Sequence, residues 1–125
     1  MQDPKDWKSF YSNLDKDRPV EEVCALLKSL LKDDANQIIF CTGRVEDYRE
    51  KTIEQINKIL KGSKNIDIDS CLYMRPQGDF RKDFMVKRDL YKKMIFDGFN
   101  PVLVFEDKIT VVEMWKEMGL KCLRV

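Results

Sequence analysis

Residues 75–87 read RPQGDFRKDFMVK, a turn that runs into a helix, and the rest of the chain is organised around it. Pro76 and Gly78 break regular structure. From Asp83 onward the apolar residues fall at helical spacing, Val86, Leu90 and Met94, with Tyr91 and Ile95 beside them. Asp79 and Asp83 stand near the helix start, where the dipole favours negative charge. Lys87 lies one turn further in, where the dipole gives a cation no support, so it needs a carboxylate or a bound phosphate as partner. A solvated, well-capped helix start accounts for the same charges, and spacing alone does not separate the two.

Working outward toward the N-terminus, 71–74 is a short strand. Residues 46 to about 60 form a charged amphipathic helix with Ile53, Ile56, Ile59 and Leu60 inward, ending near Gly62. Residues 37–42, QIIFCT, are a short apolar strand buried on both faces, and Gly43 turns the chain after it. Pro19 starts an earlier helix whose buried side carries Val20, Val23, Leu26, Leu27, Leu30 and Leu31. The first element reads as a helix too: Asp3, Pro4 and Asp6 cap it, and Trp7, Phe10, Tyr11 and Leu14 share one face. Toward the C-terminus, Gly98 ends the central helix, 102–105 (VLVF) is a strand, 109–118 a helix ended by Gly119, and 121–125 a last strand.

Strands alternating with helices predict a Rossmann-like α/β fold, a parallel sheet with helices on both faces, and one domain over residues 1–125. Ligands of such sheets bind beyond the carboxyl ends of the strands. Thr42, Gly43 and Arg44 follow one strand, Arg75 the next, and Glu106 and Asp107 a third, so all are expected along one edge. Adjacent carboxylates after an apolar strand repel unless a cation offsets them; Lys87 or Mg²⁺ would serve. A hydroxyl, arginines, a lysine and an acidic pair at one edge suggest phosphate handling. The plain alternative is that Glu106 and Asp107 merely open the next helix.

Composition narrows the classes. Apolar residues make up 43% and charged residues 36%, which describes a soluble globular domain. A net charge of +1 draws the whole molecule to neither nucleic acid nor membrane, so any polyanion site is local. No apolar run approaches a membrane span, and no signal peptide precedes the fold. Cys24, Cys41, Cys71 and Cys122 are scattered without a CxxC and read as reduced thiols of a cytoplasmic protein. The absence of histidine removes Ser-His-Asp and Cys-His catalysis and every imidazole metal site. Neither GxGxxG nor GxxxxGK[ST] occurs. The loop from Cys41 to Arg44 is too short to wrap a phosphate for thiol chemistry.

Over nearly its whole length the chain resembles the 3′-phosphatase domain of phage-type polynucleotide kinases, in the haloacid dehalogenase-like superfamily. IIFCTGR (38–44), RPQGDFRKDFMVK (75–87) and VLVFEDKITVVEMWKEMGLKCLRV (102–125) carry the likeness, with KDWKSFY (5–11) and PVEEV (19–23). The resemblance implies that Thr42 holds a phosphate oxygen, with Gly43 beside it. It implies that Arg44 and Arg75 lie against the substrate and that Lys87 neutralises the phosphoryl group. It implies that Glu106 and Asp107 position Mg²⁺, where the family has Asp-Asp. Thr42, Arg44, Lys87 and Asp107 are the implied catalytic set.

The family begins with an apolar strand ending in Asp-x-Asp-Gly-Thr, whose first Asp is the nucleophile and second the general acid/base. These 125 residues contain no such strand. The resemblance places it mid-sheet, between the strands ending at Thr42 and Phe105, so the predicted sheet lacks its first central strand. Two apolar strand edges would then face a gap. The expected occupants are a strand from a second chain, a swap within a homodimer, or a closed-up sheet. Asp67-x-Asp69 lacks both the apolar strand before it and Gly-Thr after it, and reads as a polar lead-in to the next strand.

Two functions stand side by side. One is a Mg²⁺-dependent phosphatase for 3′-phosphate ends of nucleic acid, inactive as this chain alone. The other is a non-catalytic, phage-type interaction protein on a degenerate phosphatase fold, binding a nucleotide, a nucleic acid or a protein partner.

Overall fold

The computed structural model describes residues 8–13 (backbone), 21–63 and 65–125. Its strands are β1 (Lys8–Asn13), β2 (Asn36–Val45), β3 (Leu72–Arg75), β4 (Pro101–Glu106) and β5 (Lys121–Arg124). Its helices are α1 (Glu21–Leu31), α2 (Arg49–Ile59), α3 (Asp83–Phe96) and α4 (Ile109–Glu117), with single 3₁₀ turns at Glu46–Tyr48 and Ile68–Cys71. All strand pairs are parallel, in the order β3-β2-β1-β4-β5. A helix connects each strand to the next, as parallel pairing requires.

The alternation along β2 sorts the core. Ile38 and Phe40 point to one face and pack with Leu27 and Leu31 of α1 and Ile56 and Ile59 of α2. Ile39 and Cys41 point to the other and meet Val86, Leu90 and Met94 of α3 and Val111, Val112 and Trp115 of α4. Both faces are covered, which is why the strand is apolar without interruption. Each such side chain contributes about 1.5–3 kcal/mol through burial. Tyr91 and Trp115 meet edge to face at 5.7 Å and tie α3 to α4. Gly98, with φ +98°, follows α3 where Phe99 N–H returns to the Met94 carbonyl; a side chain would be strained in that conformation.

One element differs in kind from the sequence expectation. Lys8–Asn13 is a strand, not part of a helix over 3–14. It pairs with β2 from Lys8↔Asn36 to Asn13↔Cys41 and with β4 through Phe10↔Leu103 and Ser12↔Phe105. The central slot is therefore filled from within the chain, and neither a second chain nor direct β2–β4 pairing is needed to close the sheet. The apolar spacing 7, 10, 11, 14 is helical, but two open apolar edges outweigh a local period. Trp7 and Leu14, and the Pro19 and Val20 expected in the second helix, lie outside the described residues. Leu26, expected inside, is exposed on α1.

Candidate functional site

From β1 the chain moves to β2 on one side of the sheet, and β4 lies on the other side of β1. The strand order reverses there, which opens a crevice at the carboxyl ends. Thr42, Gly43 and Arg44 lie within the last residues of β2, which runs on through Gly43 to Val45 and does not turn there, Arg75 ends β3, and Glu106 ends β4 with Asp107 following. Lys87 enters from the second turn of α3.

The structure draws these residues into three linked groups. In the first, Arg75 donates from Nε to the Gly43 carbonyl at 2.8 Å, and from Nη1 to the Asp79 and Arg81 carbonyls at 3.0 and 2.6 Å. Its Nη2 pairs with Asp83 Oδ1, and Lys108 Nζ donates to Asp83 Oδ2 at 2.9 Å. In the second, Lys87 Nζ stands 3.3 Å from Glu106 Oε1, both side chains having no exposed surface. Glu106 Oε2 accepts the amides of Asp107 and Lys108 at 3.2 and 3.4 Å, so the carboxylate also shapes the turn into α4. In the third, buried Thr42 accepts the Arg44 amide at 3.1 Å, while Arg44 Nη1 reaches Gln55 Oε1 of α2 at 2.6 Å. Asp107 is half-buried, and its carbonyl accepts Arg124 Nε at 3.1 Å.

Burial would raise the Asp83 carboxyl, but the Lys108 ammonium, with Lys87 and Arg75, outweighs it and holds the group below its ordinary value. Asp79 is brought down to about 2 by the Arg81 side chain and amide. Burial, with Asp67 adding, pushes the Cys71 thiol up to about 12, and burial raises Cys122 to about 11. Both thiols are inert at neutral pH. Cys41 is buried among the α3 and α4 side chains, away from any loop that could wrap a phosphate. Asp67 and Asp69 belong to the turn ahead of β3, at the end of that strand opposite Arg75, and Asp69 pairs with Arg49 at 2.9 Å.

Sequence reasoning missed Lys108 and Gln55 as site neighbours and saw Asp83 only as a helix-start acid. Lys108 had a signal: a cation directly after Glu106 and Asp107 in a strand-to-helix turn. Gln55 had none, since only the packing of α2 brings it to Arg44.

Residues 4–125 match the family model of the polynucleotide kinase PNKP phosphatase domain. The chain belongs to that family. A protein of Autographa californica nuclear polyhedrosis virus, named "Putative bifunctional polynucleotide kinase/RNA ligase", is 30% identical over 117 residues, 90% of this chain and 16% of that protein. Two solved structures, one of the Pnkp1/Rnl/Hen1 RNA repair complex and one of the Pnkp1/Rnl/Hen1 complex, each align with TM-score 0.79 and 25% identity over all of this chain. They are covered to 44% and 47% of the matched chains, so this phosphatase-type domain spans less than half of each relative. The haloacid dehalogenase-like α/β fold and the 3′-phosphatase likeness read from the sequence both hold.

Phosphatases of this family generally use Mg²⁺. Among the described residues, no three Cys, Asp or Glu side chains are grouped to hold an ion. Glu106 directs one oxygen at Lys87 and the other at two amides. In this arrangement the described acids of the PNKP-type domain do not fit Mg²⁺ through Glu106.

Proposed function

We propose that this domain binds the 3′-phosphate end of a nucleic acid along the carboxyl edge of its sheet, and that these 125 residues alone do not hydrolyse it. One observation carries the binding half: Arg75 on Gly43 and Lys87 beside Glu106 bring separate elements to one edge in a polynucleotide-phosphatase family member. Half-buried Gly43 and Arg44 meet the phosphate oxygens, buried Thr42 accepts the Arg44 amide, and Arg75 and Lys87 offset the charge. Thr42 and Lys87 have no exposed surface, so half-buried Arg44 and exposed Lys108 meet the phosphate first. The absence of Asp-x-Asp-Gly-Thr supports the lack of turnover, as does a Glu106 already occupied by Lys87. The resemblance assigns Mg²⁺ to Glu106 and Asp107, and Asp107 is the more exposed of the two. The setting is cytoplasmic, with the four cysteines reduced.

The test pairs binding with turnover. A 3′-phosphorylated oligonucleotide is expected to bind more tightly than its 3′-hydroxyl counterpart, with the preference reduced in Arg44→Ala and no phosphate released with Mg²⁺. Equal affinity for the two ends would overturn the binding half. Mg²⁺-dependent release that disappears in Lys87→Ala would overturn the inactive half.

A second reading, an interaction module, has its own support. β5 is an edge strand with Leu123 exposed in it and Val125 exposed after it, and both similar structures are of complexes. A second copy or another protein would pair there. A strict monomer by solution mass counts against the homodimer.

A further inference from the structure

We infer that Phe80 is a stacking platform for the terminal base of the nucleic acid whose phosphate end is held at the carboxyl edge, an inference that rests on the proposed function. Phe80 is 94% exposed, the most exposed large apolar side chain among the described residues. Single exposed apolar residues are common, and three features set this one apart.

The first is anchoring. The carbonyls of Asp79 and Arg81, on either side of Phe80, both accept from Arg75 Nη1. Asp79 Oδ1 in turn accepts the Arg81 amide at 3.1 Å, and a two-point fork joins the Asp79 carboxylate to Arg81 Nε and Nη2 at 3.0 and 2.8 Å. The backbone is gripped on both sides of a ring that itself touches little, so the ring is presented with little further loss of freedom on binding.

The second is place. The same Arg75 guanidinium donates to the Gly43 carbonyl, so one side chain separates the Phe80 loop from the end of β2. Arg75 thus links the loop that carries Phe80 directly to the backbone where the phosphate is proposed to sit.

The third is charge. Of the cations in residues 75–82, Arg75 pairs with Asp83 and Arg81 with Asp79 and Asp89, and the exposed Lys82, two residues after Phe80, adds a further positive charge. An aromatic ring flanked by cations is the chemistry that takes a base and its phosphodiester together. Phe96, 90% exposed, supplies the contrast: it ends α3 at the far side of the sheet, beside Asp97, which accepts the Tyr73 hydroxyl at 2.7 Å.

The probe is a dye-labelled single-stranded oligonucleotide with a 3′-phosphate, compared with the same strand carrying an abasic 3′-terminal nucleotide. Binding is followed by fluorescence anisotropy with the full 125-residue chain. Phe80→Ala is expected to weaken binding of the base-bearing strand about tenfold, Phe80→Tyr to keep it, and Phe96→Ala to change nothing. The abasic strand should bind wild type about tenfold more weakly, and Phe80→Ala should add no further loss with it. Equal loss for both strands in Phe80→Ala, no loss in either, or no binding of either strand overturns the inference. Failure of the phosphate-end reading shows elsewhere, as equal affinity for 3′-phosphate and 3′-hydroxyl strands. Unchanged melting of Phe80→Ala separates lost stacking from lost fold.

Discussion

Two ionic assemblies share the carboxyl edge and differ in their contact with water. Lys87 and Glu106 are sealed, with no exposed surface on either side chain. Arg75, Asp83 and Lys108 form an open chain whose side chains are 12%, 24% and 54% exposed. In the sealed pair each charge is tolerable only because the other is present, since desolvation offsets most of the mutual attraction. The open chain keeps part of its hydration, so its ties are individually weaker and more easily exchanged for a ligand. The sealed pair holds α3 against the start of α4, and the open chain holds the loop that faces solvent.

The largest effect that would sharpen this contrast is expected from Lys87→Ala. It leaves the Glu106 carboxylate buried without its ammonium and should cost about 3–5 kcal/mol in urea unfolding. The double change Lys87→Met with Glu106→Gln should recover most of that loss, because no buried charge remains uncompensated. A single-variant loss below about 1 kcal/mol would break the distinction between sealed and open assemblies.

Arg75→Ala comes next. It removes donors from three carbonyls and from Asp83, and should destabilise by about 2 kcal/mol, on the scale of charged hydrogen bonds. Amide exchange in 79–82 should speed up while exchange in β2 stays slow.

Acid should act on the open assembly through Asp83. Its folded value is held below the unfolded one, so its stabilising contribution is complete above the ordinary carboxylate range, near 4. That contribution is lost as pH falls through the lowered folded value. The urea midpoint of wild type should therefore approach that of Asp83→Asn on acidification from pH 6 to 3. A gap that stays constant would show that Asp83 acts through shape and not charge.

The smallest structural effect is expected from Arg81→Ala, whose side chain is 43% exposed and shares its charge between Asp79 and Asp89. Melting should not move measurably. The change should appear in oligonucleotide binding, as a salt dependence shallower by about one unit of slope.

Much of this edge was legible before any coordinates. The runs at 37–42 and 102–105 have the composition of strands buried on both faces, and parallel sheets put their functional residues after the strands. That rule alone places Thr42, Arg75, Glu106 and Asp107 together. Lys87 stands out because a cation one turn into a helix lacks support from the dipole, and the structure supplies Glu106 as its partner. Lys108 and Gln55 were missed because a pattern along one chain does not report which side chains of separate elements meet.

Local period and composition are enough for the α/β alternation, the two-faced burial of β2 and the gathering of strand ends at one edge. Tertiary structure decided three things. Lys8–Asn13 became the central strand, since pairing on both sides outweighs a helical spacing of four apolar residues. Glu106 turned to Lys87 and the α4 turn, since a buried carboxylate must be matched by donors within reach. Phe80 stays in solvent, since the carbonyls on either side of it are held by Arg75 and not by the core.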